Sequence, residues 1–94
     1  MKYAMFYKGR PIEVDAFQLG YRPLICEDWF WDAVSRNVII THNFDKAHGP
    51  AWCTIKSKTG AIYIANTGDW IVKLANDDII QYPDGLFKKH YKPM

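Results

Sequence analysis

The sequence is poor in the features that mark whole classes of protein. Its 94 residues hold two cysteines, Cys26 and Cys53, and no Cys-x-x-Cys pair. That is too few for a disulfide framework, and it lacks the thiolate spacing of a zinc ribbon. Each cysteine has apolar neighbours, where a thiol serves as a small core residue, so a reducing compartment is expected. Long hydrophobic runs are missing too. The longest run of branched aliphatics is Val38-Ile39-Ile40, far short of the roughly 20 apolar residues that cross a bilayer. Met1 to Lys8 has neither a long apolar stretch nor a small-residue cleavage site, which predicts no signal peptide and a cytoplasmic chain. Acidic and basic residues nearly balance. Twelve Lys and Arg face ten Asp and Glu, a net charge of +2, too weak to argue for a polyanion partner.

What is present describes one globular domain over residues 1–94. Hydrophobic residues make up 49% and charged residues 23%, which excludes intrinsic disorder. Tyr3, Met5 and Tyr7 alternate, Lys8-Gly9-Arg10-Pro11 turns, and Ile12, Val14 and Ala16 alternate again, predicting a hairpin. Gly20 to Pro23 breaks the pattern. Glu27 to Arg36 reads as a helix, with acidic residues first, Trp29, Phe30, Ala33 and Val34 on one side, and Arg36-Asn37 at the end. Val38 to Thr41 reads as a strand and Asn43 to Pro50 as a polar loop. Trp52–Ser57, Ala61–Ala65, Trp70–Leu74 and Ile79–Tyr82 read as four strands of a meander, with tight turns between them. Leu86 to Tyr91 reads as a helical turn or short strand. The expected class is α+β: a bent antiparallel sheet or small open barrel of about six to seven short strands on one short helix. Trp29, Phe30 and Ala33 should then meet Cys53, Ile55, Ile62, Ile64, Trp70 and Val72.

Four constellations bear on function. His42-x-x-Asp45-x-x-His48 has metal-ligand chemistry, but Gly49 and Pro50 argue against the helix its spacing needs, so a solvated loop and no metal are expected. Glu13 and Asp15 share one face of a strand, where paired carboxylates can divide acid and base roles, or simply meet solvent. Lys88-Lys89-His90-Tyr91-Lys92 is a short basic run of the kind that ends in solvent. The fourth is the outer face of the meander. With Ile55 and Ile62 pointing inward, alternation places Trp52, Thr54, Lys56, Tyr63, Ile71, Lys73 and Gln81 outside. Aromatics there can stack on bases or hold partner side chains, and lysines can neutralise phosphate.

Several short stretches resemble a family of small uncharacterised proteins carried by bacteriophages and prophages. They are Pro11-Ile12-Glu13-Val14-Asp15-Ala16-Phe17-Gln18, Asp28-Trp29-Phe30 with Ala33, Gly68-Asp69-Trp70-Ile71-Val72-Lys73, and Tyr82-Pro83-Asp84-Gly85-Leu86-Phe87 with Tyr91. The third is similar to domains named for a Pro-Gly-Asp-Tyr-Gly signature, with Thr67 in place of the Pro and Trp70 in place of the Tyr. The resemblance implies a phage accessory protein in a bacterial host cytoplasm, with no established activity, catalytic residue or cofactor. The expectation is therefore a binding protein without a cofactor. It would take a nucleotide-type signal or a host defence protein on Trp52, Thr54, Lys56, Tyr63, Lys73 and Gln81. Nucleic acid is a weaker partner, and homo-oligomers would form shared pockets readily. The alternatives are a small enzyme on nucleotides or nucleic acid, using Glu13, Asp15 and a histidine, and a virion or assembly component.

Overall fold

Alternating residues at the start of the chain form β1 (Lys2–Tyr7) and β2 (Arg10–Gln18). The two-residue turn between them has Lys8 at φ 51° and Gly9 at φ 77°. Two left-handed residues in succession give the turn whose twist matches that of paired strands. The computed structural model describes residues 2–20, 27–45 and 49–94. Cys26 and His48, and most of the Gly20–Pro23 break, lie outside the described residues.

The predicted helix is α1 (Asp28–Ser35), with Phe30 and Ala33 buried. Asn37 ends it in the left-handed region at φ 60°. Its N–H donates to the Val34 carbonyl and that of Val38 to the Ala33 carbonyl, the paired bonds of a Schellman close. Trp29, expected in the core beside Phe30 and Ala33, is only half-buried, and its indole N–H donates to Glu27 Oε2 at 2.7 Å.

The remaining strands are β3 (Ile39–Asp45), β4 (Gly49–Lys56), β5 (Ile62–Asn66), β6 (Trp70–Lys73), β7 (Ile79–Tyr82) and β8 (Lys92–Pro93), with α2 (Asp84–His90) before the last. The class is α+β, as expected, but the strands make two sheets. One has five strands in the order β7-β6-β2-β1-β8, the other three in the order β3-β4-β5. The expected meander is thus wrong at one joint. β5 and β6 follow each other but do not pair, because β6 already has β2 on one side and β7 on the other. The corner between the sheets is Asn66–Asp69. Gly68 there has φ +96°, and its N–H donates to the Leu19 carbonyl while Leu19 N–H donates to Asp69. Gly20 packs against this corner at φ +82°, with Thr67 so close that a Cβ would stand 2.8 Å from Thr67 Cγ2. Both ends of the expected Asn43–Pro50 loop are strand instead, since β3 runs to Asp45 and β4 begins at Gly49.

Two cores result. The first joins Phe30 and Ala33 of α1 to Ile39, Cys53, Ile55 and Ala65 of the smaller sheet and to Leu19, Ile71 and Ile79 of the larger chain segment. The second lies on the opposite face of the five-stranded sheet, where Val14, Ala16, Trp70 and Val72 meet Phe87 and Tyr91. Trp70 stacks on Phe87 at 4.1 Å between ring centroids, and Tyr3 meets both edge-on. β6 is therefore buried on both faces, which explains its unbroken apolar run Trp70-Ile71-Val72. Trp70 and Val72 face α2, not α1 as expected.

Candidate functional site

The register of the smaller sheet decides which side chains share its outer face. Ile39 pairs with Ile55, and Ile55 with Tyr63. These three side chains belong to or pack on the first core. Alternation then turns Ile40 and His42 of β3, Trp52, Thr54 and Lys56 of β4, and Ile62, Ile64 and Asn66 of β5 outward. Exposure agrees: Ile62 is 66% exposed, Ile64 55% and Ile40 39%. His42 lies flat on Trp52, with ring centroids 3.7 Å apart and planes 12° apart. The imidazole Nε2 is 3.1 Å from Thr54 Oγ1. The stack half-buries both rings and fixes them as a plate beside three isoleucines.

Of the six residues expected to form a site, Trp52, Thr54 and Lys56 stand together on this face. Tyr63, Lys73 and Gln81 do not. Ile62 and Ile64 were expected inside, but the five-residue loop from Ser57 to Ala61 pairs Lys56 with Ile62, which sends Tyr63 and Ala65 to the core. The buried position beside Cys53 takes the small Ala65, wholly buried. Lys73 and Gln81 belong to the other sheet. Lys73 pairs with Asp77 at 3.5 Å, and Gln81 Nε2 donates to Asp69 Oδ2 at 3.1 Å. Ile71, expected outside, is wholly buried in the first core. Sequence reasoning missed Ile40, His42, Ile62 and Ile64. The signal for the first two was alternation continued through Thr41. For the last two it was the parity of the loop, which residue types alone do not reveal.

Glu13 and Asp15 share a face but stand in different surroundings. Asp15 is bound by Lys2 Nζ at 3.0 Å, and Glu13 is exposed. His42 stands on the other sheet. Two further aspartates hold elements together. Asp84 accepts from the Trp70 indole N–H at 2.8 Å and Gln18 Nε2 at 3.2 Å, and pairs with Lys88 at 3.2 Å. The Trp70 hydrogen bond, aided by Lys88, holds its carboxyl below the ordinary range. Asp78 is buried and accepts from Ser57 Oγ at 2.8 Å and from the N–H groups of Lys58 and Ile79 at 2.9 Å. Burial pushes this carboxyl up, but the bonds from Lys58, Ser57 and Ile79 outweigh it, and the net shift is downward.

Among the described residues no three His, Cys, Asp or Glu side chains gather as metal ligands. No helix among them is long and apolar enough to cross a membrane. No protein-family model matches the chain, and no curated protein or solved structure matches it either.

Proposed function

We infer that the chain works by binding rather than catalysis, and that the outer face of β3, β4 and β5 meets a protein partner. The observation that carries this reading is the set of three exposed isoleucines, Ile40, Ile62 and Ile64, beside the fixed His42–Trp52 plate. Single exposed aliphatics are ordinary, but adjacent ones beside a Trp mark interaction surfaces. A nucleotide-type ligand is the weaker reading. Lys56 is the one cation among the described residues of this face, and Lys73 and Gln81 stand on the other sheet. Stacking on Trp52 would remain, but phosphate would have a single point charge. The resemblance to phage accessory proteins makes a host defence protein the partner class we favour.

The test replaces Ile62 and Ile64 together by Ser. Both are exposed, so the melting temperature should hold. Phage carrying the parent or the variant would be plated on a defence-carrying host. A photo-crosslinking amino acid at position 64 would capture the partner during infection, with one at Asp32 as control. Lost protection with unchanged stability, and a single host protein captured at position 64 alone, supports the reading. Full protection by the variant overturns it. Protection lost only on Lys56→Ala, with nucleotide bound in calorimetry, would restore the nucleotide reading.

A further inference from the structure

β2 is longer than the strand beside it. It pairs with β1 from Arg10 to Asp15, but with β6 only from Asp15 to Gln18. After Lys73 the chain turns away from β2 into a loop closed by Leu74 N–H donating to the Asp78 carbonyl at 2.8 Å. Alongside Pro11 to Val14 this leaves an open notch of about 640 Å³, lined in part by Glu13, Asp15, Lys73, Leu74 and Asp77.

Alternation identifies the backbone groups that face the notch. In an antiparallel sheet, residues direct N–H and C=O to one neighbour and then to the other. Leu19 bonds toward β6, donating to Asp69 at 2.9 Å and accepting from Gly68 at 2.8 Å. Odd-numbered residues of β2 thus face β6 and even-numbered ones β1. The far side of β1 agrees. The Lys2 carbonyl accepts from Met94 beyond β8, so Tyr3, Met5 and Tyr7 turn to Val14, Ile12 and Arg10. Beyond the end of β6, Glu13 therefore presents an N–H and a C=O to the notch, and Pro11 a C=O. Pro11 occupies a position where its missing donor breaks no bond to β1.

The two sides of the notch differ in chemistry. On one, Asp15 is held by Lys2 at 3.0 Å and Lys73 by Asp77 at 3.5 Å. Glu13 is exposed on the same side and pairs with no described residue. On the other, Ile12 and Leu74 are half-buried, and Leu74 packs on the second core. We propose that this edge takes an extended segment of a partner protein by strand addition, with a Lys or Arg against Glu13 and apolar residues on either side of it against Ile12 and Leu74. The guest donates to the Pro11 and Glu13 carbonyls and accepts from Glu13 N–H, three backbone bonds in all. Main-chain bonds of this kind supply affinity, and alternate side chains supply selectivity. A proline and a charge on an edge also discourage unplanned pairing, and the experiment separates the two roles.

The probe is the peptide acetyl-Val-Lys-Val-Lys-Val-Lys-amide. Its controls are the analogue with Glu for Lys and a copy N-methylated at its central residues. The full chain, labelled with nitrogen-15, is titrated by NMR. The expected result is a shift centred on the Glu13 amide and slowed exchange of that proton. N-methylation should abolish binding. Glu13→Lys should weaken the lysine peptide by about five- to tenfold and improve the glutamate peptide. No binding at millimolar peptide, binding indifferent to N-methylation, or shifts centred elsewhere overturns the proposal and leaves edge protection as the role of Pro11 and Glu13. The edge lies on the five-stranded sheet and the isoleucine face on the other, so each test fails independently.

Discussion

Asp78 is the polar joint between the two sheets, and removing it should cost more than any surface change. The residue is 6% exposed. Its Oδ1 receives the N–H groups of Lys58 and Ile79, and its Oδ2 the hydroxyl of Ser57. Ser57 and Lys58 follow β4, and Ile79 opens β7, so one carboxylate fastens the smaller sheet to the larger. Asp78→Ala leaves two backbone donors without acceptors, and each bond to a charged group contributes about 1.5–3 kcal/mol. A total loss of about 3–5 kcal/mol is expected, which lowers the melting temperature of a domain this size by about 12 °C or more. Asp78→Asn keeps one oxygen for the two N–H groups, while the Ser57 hydroxyl can rotate to accept, so about 1–2 kcal/mol is expected. The sign with pH follows from the lowered carboxyl. Its contribution is complete above the unfolded value of 3.8 and disappears as pH falls through the lower folded value. The gap between parent and Asp78→Asn should therefore be wide at neutral pH and should shrink once the pH falls below 3.8. Urea unfolding followed by tryptophan fluorescence in both pH ranges measures it. An Asp78→Ala protein within about 0.5 kcal/mol of the parent, or an Asn gap constant with pH, would mean that this carboxylate does not join the sheets.

Two other substitutions probe the separate cores. Phe30 is wholly buried, so Phe30→Ala should cost about 3–5 kcal/mol, whereas half-buried Trp29→Ala should cost about 1–2 kcal/mol. Urea midpoints in the reverse order would show that the indole is the true anchor of α1. Phe87 touches Trp70, Tyr3, Tyr82 and Tyr91, and Phe87→Ala should cost about 3–5 kcal/mol. It should also raise amide exchange across Asp84–His90 before the rest of the sheet responds. Uniform exchange throughout the chain would mean that α2 does not rest on this ring.

Local chemistry was enough for much of the fold. Lys8-Gly9 supplies the left-handed turn of the first hairpin, Asn37 the left-handed close of α1, and alternation of apolar residues marks most strands and turns. These are interactions between near neighbours, which residue type and spacing specify. The pairing of distant segments is different. Whether β5 pairs with β6 depends on β2 having already taken that edge, some 50 residues earlier in the chain, as the Gln18 to Gly68 contact records. Whether Tyr63 or Ile62 points inward depends on a loop parity that several turn types would satisfy. That single parity removed Tyr63 from the expected site and brought Ile62 and Ile64 to the surface, against their hydrophobicity. The two-sheet split did the same to Lys73 and Gln81. Trp52, Thr54 and Lys56 kept their shared face because they lie on one strand, where a period of two residues needs no partner to define it. Residue type and spacing were enough for most elements and for the two faces of a single strand. Which faces meet could be read only from the assembled fold, because contacts between distant segments are settled by competition for the same edges and the same buried volume.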